Sequence, residues 1–357
     1  MGKAIKIYVA PVSGGSFPLQ LAYLSEIYEA TKIYKKKIKG YSDYAPNLVF
    51  SSSGGNVASY IGLAADWSPS GIEWIASNLE SEMFVTSWVR YIPAFLIAPF
   101  TGSVFRPGYG TQAIFKSIFT EVSIQRTEIW TGVYDPIKDK GKFFCNKCED
   151  DALIILKEAD KTIKINSLLS PSYLNGNVVE IADATTASAS IPFITQEQKV
   201  EINTYADGGT IYSSPFSAMT TQIRDVIKHH KARLQLIYLC PSNEDEMSSY
   251  NLKLMMPIHS LIKGCLMRDR YTSVDLIHSL SKKVHDAHFP NADTETLAKV
   301  LKFVQKKGHY VLWLYPLENK NKLNITNFKG DQVVECIRKA REKYGIYVWY
   351  SRSGKIH

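Results

Sequence analysis

The chain opens on a short apolar run, Ile5 to Ala10 (IKIYVA), rich in β-branched residues and closed by the turn PVSGGSFP. A run of that length ending in turn residues predicts a buried strand. Pro18 suits the first turn of a helix, where its missing N–H would be unpaired anyway. From about Leu19, Leu21, Leu24 and Tyr28 share one helical face. Lys35, Lys36, Lys37 and Lys39 favour the C-terminal end of that helix, and Gly40 predicts its stop. A second apolar run, Asn47 to Phe50, meets SSSGGN, and VASYIGLAADW then resumes helical spacing. Strand, turn and helix, twice over, predict a mostly parallel sheet with helices on its faces.

Aromatic-rich segments of helical spacing fill about 70 to 130, and between Glu128 and Ile155 the period shortens toward two, which predicts a β-hairpin. VEINTYADGG reads as a strand before a helix start at Ser213 to Met219. LQLIYLC (Leu234 to Cys240) and HYVLWLY (His309 to Tyr315) read as two further buried strands, with a helical section from about Met247 to Lys307 between them. The polar ENKNKLNITN leads into a final helix, about Gly330 to Lys343. No repeat and no break in composition divides the chain. Residues 1–357 therefore read as a single α/β domain, with its motifs in 5–218 and a C-terminal extension, 219–357, that carries a helical insertion.

Composition narrows the picture. At 45% hydrophobic and 21% charged, the 357 residues describe a globular chain, not a disordered or fibrous one. A chain this long buries roughly three quarters of its unfolded surface and needs no staple. The longest apolar stretch, Trp88 to Phe100, carries Arg90, Pro93 and Pro99 and is shorter than the ~20 residues of a membrane span. With no leader pattern at the start either, an intracellular protein is expected. Five cysteines, an odd and scattered set, fit a reducing compartment. Only Cys145 and Cys148 have motif spacing, and with no second pair they read as two thiols at a hairpin tip, not a zinc site.

The net charge of +8 includes the Lys35–Lys39 cluster and KHHKAR at 228–233, which suit an anionic partner. No nucleic-acid-binding motif accompanies them, so nucleic acid is not expected, and an anionic membrane surface is another partner of that kind. Trp67, Trp74 and the Trp88 to Phe100 stretch supply aromatics for such an interface, or else pack as ordinary core.

Three pieces carry candidate chemistry. In Phe50-Ser51-Ser52-Ser53-Gly54-Gly55, a serine on a sharp strand-to-helix bend exposes its hydroxyl at the mouth of the sheet. Ser52 is taken as that serine, with Gly54 and Gly55 on the helix side and the helix N-terminus aimed at a developing oxyanion. A tight turn or a phosphate loop would look alike. Ser13-Gly14-Gly15-Ser16 leaves amides open at the first helix N-terminus. It matches neither G-x-G-x-x-G nor a Walker loop, which leaves an oxyanion hole or a plain turn and predicts no nucleotide cofactor. Ala206-Asp207-Gly208-Gly209 puts a carboxylate on an exposed turn, where a simple β-turn is the bland alternative. No H-E-x-x-H or comparable ligand set exists, so no catalytic metal is expected.

In this order the three pieces resemble the patatin-like phospholipases, whose pattern is a G-G-G-x-x-G turn, a G-x-S-x-G elbow about 40 residues later, and a distant D-G-[GA] triplet. TTASASIPFI ahead of DGG is similar to that family's small-residue helix, and the likeness runs from about Ile5 to Ala218. The resemblance implies a three-layer α/β/α sandwich and a lipid acyl hydrolase. Its Ser–Asp dyad would be Ser52 and Asp207, with Gly14, Gly15, Ser16 and Ser53 amides as the oxyanion hole. The implied substrate is a phospholipid or related acyl ester, and the anionic partner that suits the resemblance better is a membrane surface, in peripheral contact. Phe50, Ser16 and Leu19 depart from the pattern's glycines, so a catalytically silent lipid- or protein-binding module stays open, as does an esterase or thioesterase for soluble acyl substrates. Of the eight histidines, His285 and His288 fall in the order Ser…Asp…His that a triad wants, in what reads as a solvated helix end. The implied dyad predicts that activity survives below pH ~6, where a histidine base is protonated, because a carboxylate stays ionised there.

Overall fold

A computed structural model describes residues 3–87, 103, 105–107, 110–153, 156–158, 161–163, 171–192, 195–243, 256–318, 323–324 and 327–351. Its strands in chain order are β1 (Ala4–Ala10), β2 (Leu48–Ser52), β3 (Val85–Ser87), β4 (Phe105–Pro107), β5 (Glu128–Asp135), β6 (Lys140–Cys145), β7 (Leu156–Glu158) and β8 (Lys161–Ile163). There follow β9 (Ser172–Tyr173), β10 (Gln198–Val200), β11 (Asn203–Asp207), β12 (Arg233–Leu239), β13 (Val284–Ala292), β14 (Tyr310–Pro316) and β15 (Tyr344–Ser351). Eleven of them form one sheet, in the order β10-β11-β5-β2-β1-β12-β14-β15-β13 with β6 and β9 branching from β5. The five strands from β5 to β14 are parallel, and both margins are antiparallel.

Period-two alternation along these strands builds two cores. Tyr8, Ala10 and Val49 face one way, into a layer holding α1 (Phe17–Lys35), α2 (Gly54–Ala64), α3 (Pro69–Ser77) and the helices Val178–Ser188, Thr294–Val304 and Gly330–Glu342. Ile5, Ile7, Val9, Leu48 and Phe50 face the other way, onto the helices Thr220–His229 and Met256–Leu280. The result is the mostly parallel sheet with helices on its faces that the sequence pattern predicts, in the three-layer α/β/α arrangement that the resemblance implies.

The expected elements at the amino end hold, with small shifts. α1 ends at Lys35 because Lys36 takes the left-handed cap (φ 60°), earlier than the stop expected at Gly40. It is buried on most sides, since α2, α3 and the two helices at 294–304 and 330–342 all pack on it. The section expected to be helical from Met247 to Lys307 is corrected. Its described part is the helix Met256–Leu280, then β13, then the helix Thr294–Val304. β13 alternates half-buried and exposed positions and joins the main sheet through β15, itself absent from the sequence reading. The element carrying His285 and His288 is thus a sheet-margin strand, not a helix end. Cys145 ends β6 and Cys148 follows it, at the end opposite the hairpin turn of 136–139, and both are free thiols. Trp67 is buried, with its indole N–H on Tyr41, so it does not face outward; Trp74 is exposed. Trp88 to Phe100 lies outside the described residues. Among the described residues no helix is long and apolar enough to cross a membrane.

Candidate active site

The edge of β5 brings the site together. β6 runs along one edge, facing both Gly132 and Val133. The other edge is shared: β2 occupies it up to Ser52 against Gly132, and β11 takes over with Asp207 against Val133 and Ala206 against Tyr134. The end of β2 and the end of β11 therefore meet at consecutive positions of one strand.

At that junction the chain leaves β2 through Ser53, in a left-handed conformation (φ 55°, ψ −134°), to start α2. A non-glycine residue held there stores strain that the surroundings must impose. Ser53 Oγ donates to Asp207 Oδ2 at 2.7 Å, with both residues buried. The other Asp207 oxygen, Oδ1, accepts from the Gly209 amide at 2.7 Å. Burial pushes the Asp207 carboxyl up to about 7, against the opposing pull of the bonds from Ser53 and Gly209.

The expectation that Ser52 meets Asp207 is corrected by the strand's alternation. Ser52 is the last residue of β2 and shares a face with Leu48 and Phe50, away from α2. Its hydroxyl lies 3.5 Å from the Gly132 carbonyl, the hydrogen bond the structure gives it. Ser51 points the other way and donates to Asn56 Oδ1 at 2.7 Å. Phe50 needs no room beside the helix, because it packs on Phe216 across the opposite face, ring centres 6.1 Å apart.

Tight approach explains the two glycines. A Cβ at Gly55 would sit 2.1 Å from the Ala10 carbonyl oxygen and 2.3 Å from that of Pro11; one at Gly54 would sit 2.6 Å from Ser13 Oγ and 2.7 Å from the Gly14 oxygen. The elbow is thereby pressed against the Gly-rich turn. With Ser53 at the centre, Gly55 closes the five-residue motif and Ser51 stands where its first glycine would be. Two glycines in a row left the register ambiguous in the sequence.

The turn itself is a 3-10 segment, Gly14–Ser16, with Gly14 at φ 49°. Among the described residues the amides of Gly14, Gly15 and Gly54 have no acceptor, and Gly14, Ser53 and Gly54 line one pocket. The Ser16 amide is taken by the Ser13 carbonyl at 2.9 Å, and the Ser53 amide by Ser188 Oγ at 2.9 Å. These two of the four expected donors are therefore occupied, whereas the Gly54 amide, at the positive end of α2 and not among those expected, is open. Ser188 was not expected either: its hydroxyl also donates to the Gly132 carbonyl at 2.6 Å, which fastens the elbow to β5. Asn56 adds a second tie, accepting from Ser51 and Thr131 and donating to Thr185.

Away from the serine the pocket turns apolar, with Phe17, Val57, Phe84, Ile191 and Phe328 in its wall. Phe84 and Phe328 come from distant segments and meet ring to ring, centres 6.0 Å apart. No histidine among the described residues touches Ser53 or Asp207. His285 and His288 stand on β13, five strand spacings from β2, or about 24 Å. There they stack on Tyr350 and Tyr347.

The patatin-like phospholipase model matches residues 29–220, just over half of the chain. The chain belongs to that family. The match takes in the elbow, the helix Val178–Ser188 and Asp207, and begins downstream of the Gly14–Ser16 turn. No curated protein matches the chain. Membership of the patatin-like family makes lipid acyl hydrolysis the family-level activity and a lipid the class of substrate.

Proposed function

We propose that this patatin-like protein hydrolyses acyl esters of lipids, phospholipids among them, through a Ser53–Asp207 dyad. The reading rests above all on the 2.7 Å bond between Ser53 Oγ and Asp207 Oδ2 at a strained strand-to-helix bend. Ser53 Oγ attacks the ester carbonyl carbon and its proton passes to Asp207, so the nucleophile forms its bond as a neutral hydroxyl gives up H⁺. The carbonyl oxygen becomes an oxyanion, held by the Gly14, Gly15 and Gly54 amides and the N-terminus of α2. Collapse expels the alcohol, which takes the proton back from Asp207. Water, deprotonated by Asp207, then attacks the acyl-enzyme; the Ser53 Oγ–acyl bond breaks, Oγ takes the proton back from Asp207, and the fatty acid leaves.

The apolar wall of Phe17, Val57, Phe84 and Phe328 suits a hydrocarbon chain extending from the scissile carbonyl. Neither a metal nor a nucleotide enters these steps. A fluorophosphonate probe tests the reading: covalent labelling at Ser53, found by peptide mapping, is expected. Absence of labelling at Ser53 together with absence of ester turnover would favour the silent binding module instead.

A further inference from the structure

Two hairpins stand side by side past the carboxyl end of β5. One joins β5 to β6 through residues 136–139, and the other joins β10 to β11 through Glu201 and Ile202. β6 and β11 flank the same residues of β5, Val133 and Tyr134, so both turns project in one direction. That is also the end of the sheet at which Ser53 leaves β2. The pocket wall at Ile191 and Thr195 leads within three residues into β10, and β11 runs from Ile202 straight to Asp207.

The tips of these turns are apolar. Ile137 is 79% exposed and Ile202 is 86% exposed. Turn chemistry asks for neither. The β10–β11 loop has two residues, with Glu201 at φ 54°, a position that favours glycine, asparagine or aspartate. An isoleucine beside it covers no core. At the other turn Asp135 accepts from the Ile137 and Lys138 amides, at 3.1 and 3.0 Å, and fixes Ile137 outward. Around the two tips the charges balance: Lys138, Lys140, Lys142 and Lys199 alternate with Asp135, Asp139, Glu197 and Glu201. Lys138 lies 3.8 Å from Asp135, and the Tyr134 hydroxyl donates to Asp139.

The basic clusters that carry the net charge sit elsewhere. α1 starts at the carboxyl end of β1 and runs back along the sheet, so Lys35–Lys39 lies at the opposite end. Residues 228–231 lead into the start of β12, parallel to β1, and lie at that far end too. Attraction through either cluster would turn the pocket away from a membrane.

We propose that Ile137 and Ile202 insert into the surface of a zwitterionic lipid bilayer and present the Ser53 pocket to it. This rests on the reading that the substrate is a lipid. Two apices on stiff turns offer no flat apolar area of the ~800 Å² per partner that a stable protein complex needs. Inserted separately, with lysine stems lying along the interface, they suit a reversible bilayer contact.

The test sediments the full-length protein with phosphatidylcholine vesicles. The parent is expected to co-sediment, at low and high salt alike, and the Ile137→Asp/Ile202→Asp double variant to bind roughly a hundredfold more weakly, about tenfold per side chain. Its turnover of soluble p-nitrophenyl acetate should match the parent's, which also shows that it is folded. Ile202→Trp should bind, with its emission shifting blue on vesicles. Ser53→Ala separates the two readings, since it should lose turnover and keep vesicle binding. Equal binding by parent and double variant, no binding by the parent, or binding only to anionic vesicles that salt abolishes would each overturn the proposal.

Discussion

Ser52 and Asp207 pair with neighbouring residues, Gly132 and Val133, along one edge of the same strand. The residue that follows Ser52 is thereby delivered onto the carboxylate. The hydroxyl that reaches Asp207 belongs to Ser53 because Ser52 is still inside the strand, committed by the pleat to the far face.

Replacement of the three serines separates these roles. Ser53→Ala should lower ester turnover by at least about 10⁴-fold, the scale on which loss of a nucleophile is felt. Ser52→Ala should stay within a few-fold of the parent. Ser51→Ala removes a bond to Asn56 and should cost stability more than chemistry. Initial rates on a soluble ester, with thermal melts alongside, check the order. A dead Ser52→Ala with an active Ser53→Ala would return the elbow to the other register.

The pH profile follows from burial. In the proposed dyad Asp207 acts as a base only when ionised, and its carboxyl is pushed up to about 7. The acid limb of kcat/KM should therefore fall near pH 7, not near 4, so activity fades below pH ~6 without any histidine in the mechanism, and burial corrects the expectation that it would survive there. A limb near neutrality is normally assigned to histidine. His285→Gln and His288→Gln should leave it in place, whereas its disappearance in either variant would contradict the dyad.

The same shift makes a statement about stability. The folded-state value of about 7 lies above the ordinary 3.8 of an unfolded aspartate. Its contribution to stability is complete below pH ~4 and is lost as pH rises through about 7. Asp207→Asn keeps the shape without the charge, so it should melt higher than the parent at pH 8, with the gain shrinking toward pH 4. An equal difference at both pH values would count against the shift.

Gly55 has no space for a methyl group, since the Ala10 and Pro11 carbonyl oxygens stand where it would go. Gly55→Ala should cost about 3 kcal/mol, the upper side of overpacking. Because Pro11 leads into the Gly14 turn, turnover should fall as well. Urea titration gives the first quantity and initial rates the second; an unchanged midpoint would mean that the elbow is looser than described.

Much of this was legible in the residues. Short β-branched runs such as IKIYVA and LQLIYLC bury both faces and show as strands whatever their neighbours do. The order of SGGS, SSSGG and DGG gave the family and pointed to the aspartate that Ser53 meets. The serine register was not legible, because Gly54 and Gly55 each satisfy the closing position and neither Phe50 nor Ser51 is the glycine that would decide. β13 was hidden for a different reason. VHDAHFPNA has mixed polarity and a proline, the features of a margin strand whose identity comes from pairing with β15, not from its own pattern. Which amides stay open for an oxyanion depended on those already spent inside the turn and on Ser188, and only three-dimensional pairing tells that.

β11 holds β5 through just two residue pairs, where β2 holds it through five. The half of the proposed dyad lying 154 residues downstream is thus attached by the shorter splice. Such a splice opens before the parallel centre of the sheet does. Catalysis then has a fuse of its own: under mild heating or dilute denaturant, turnover should disappear while the circular-dichroism signal of the fold persists, and it should return on cooling without any refolding of the whole.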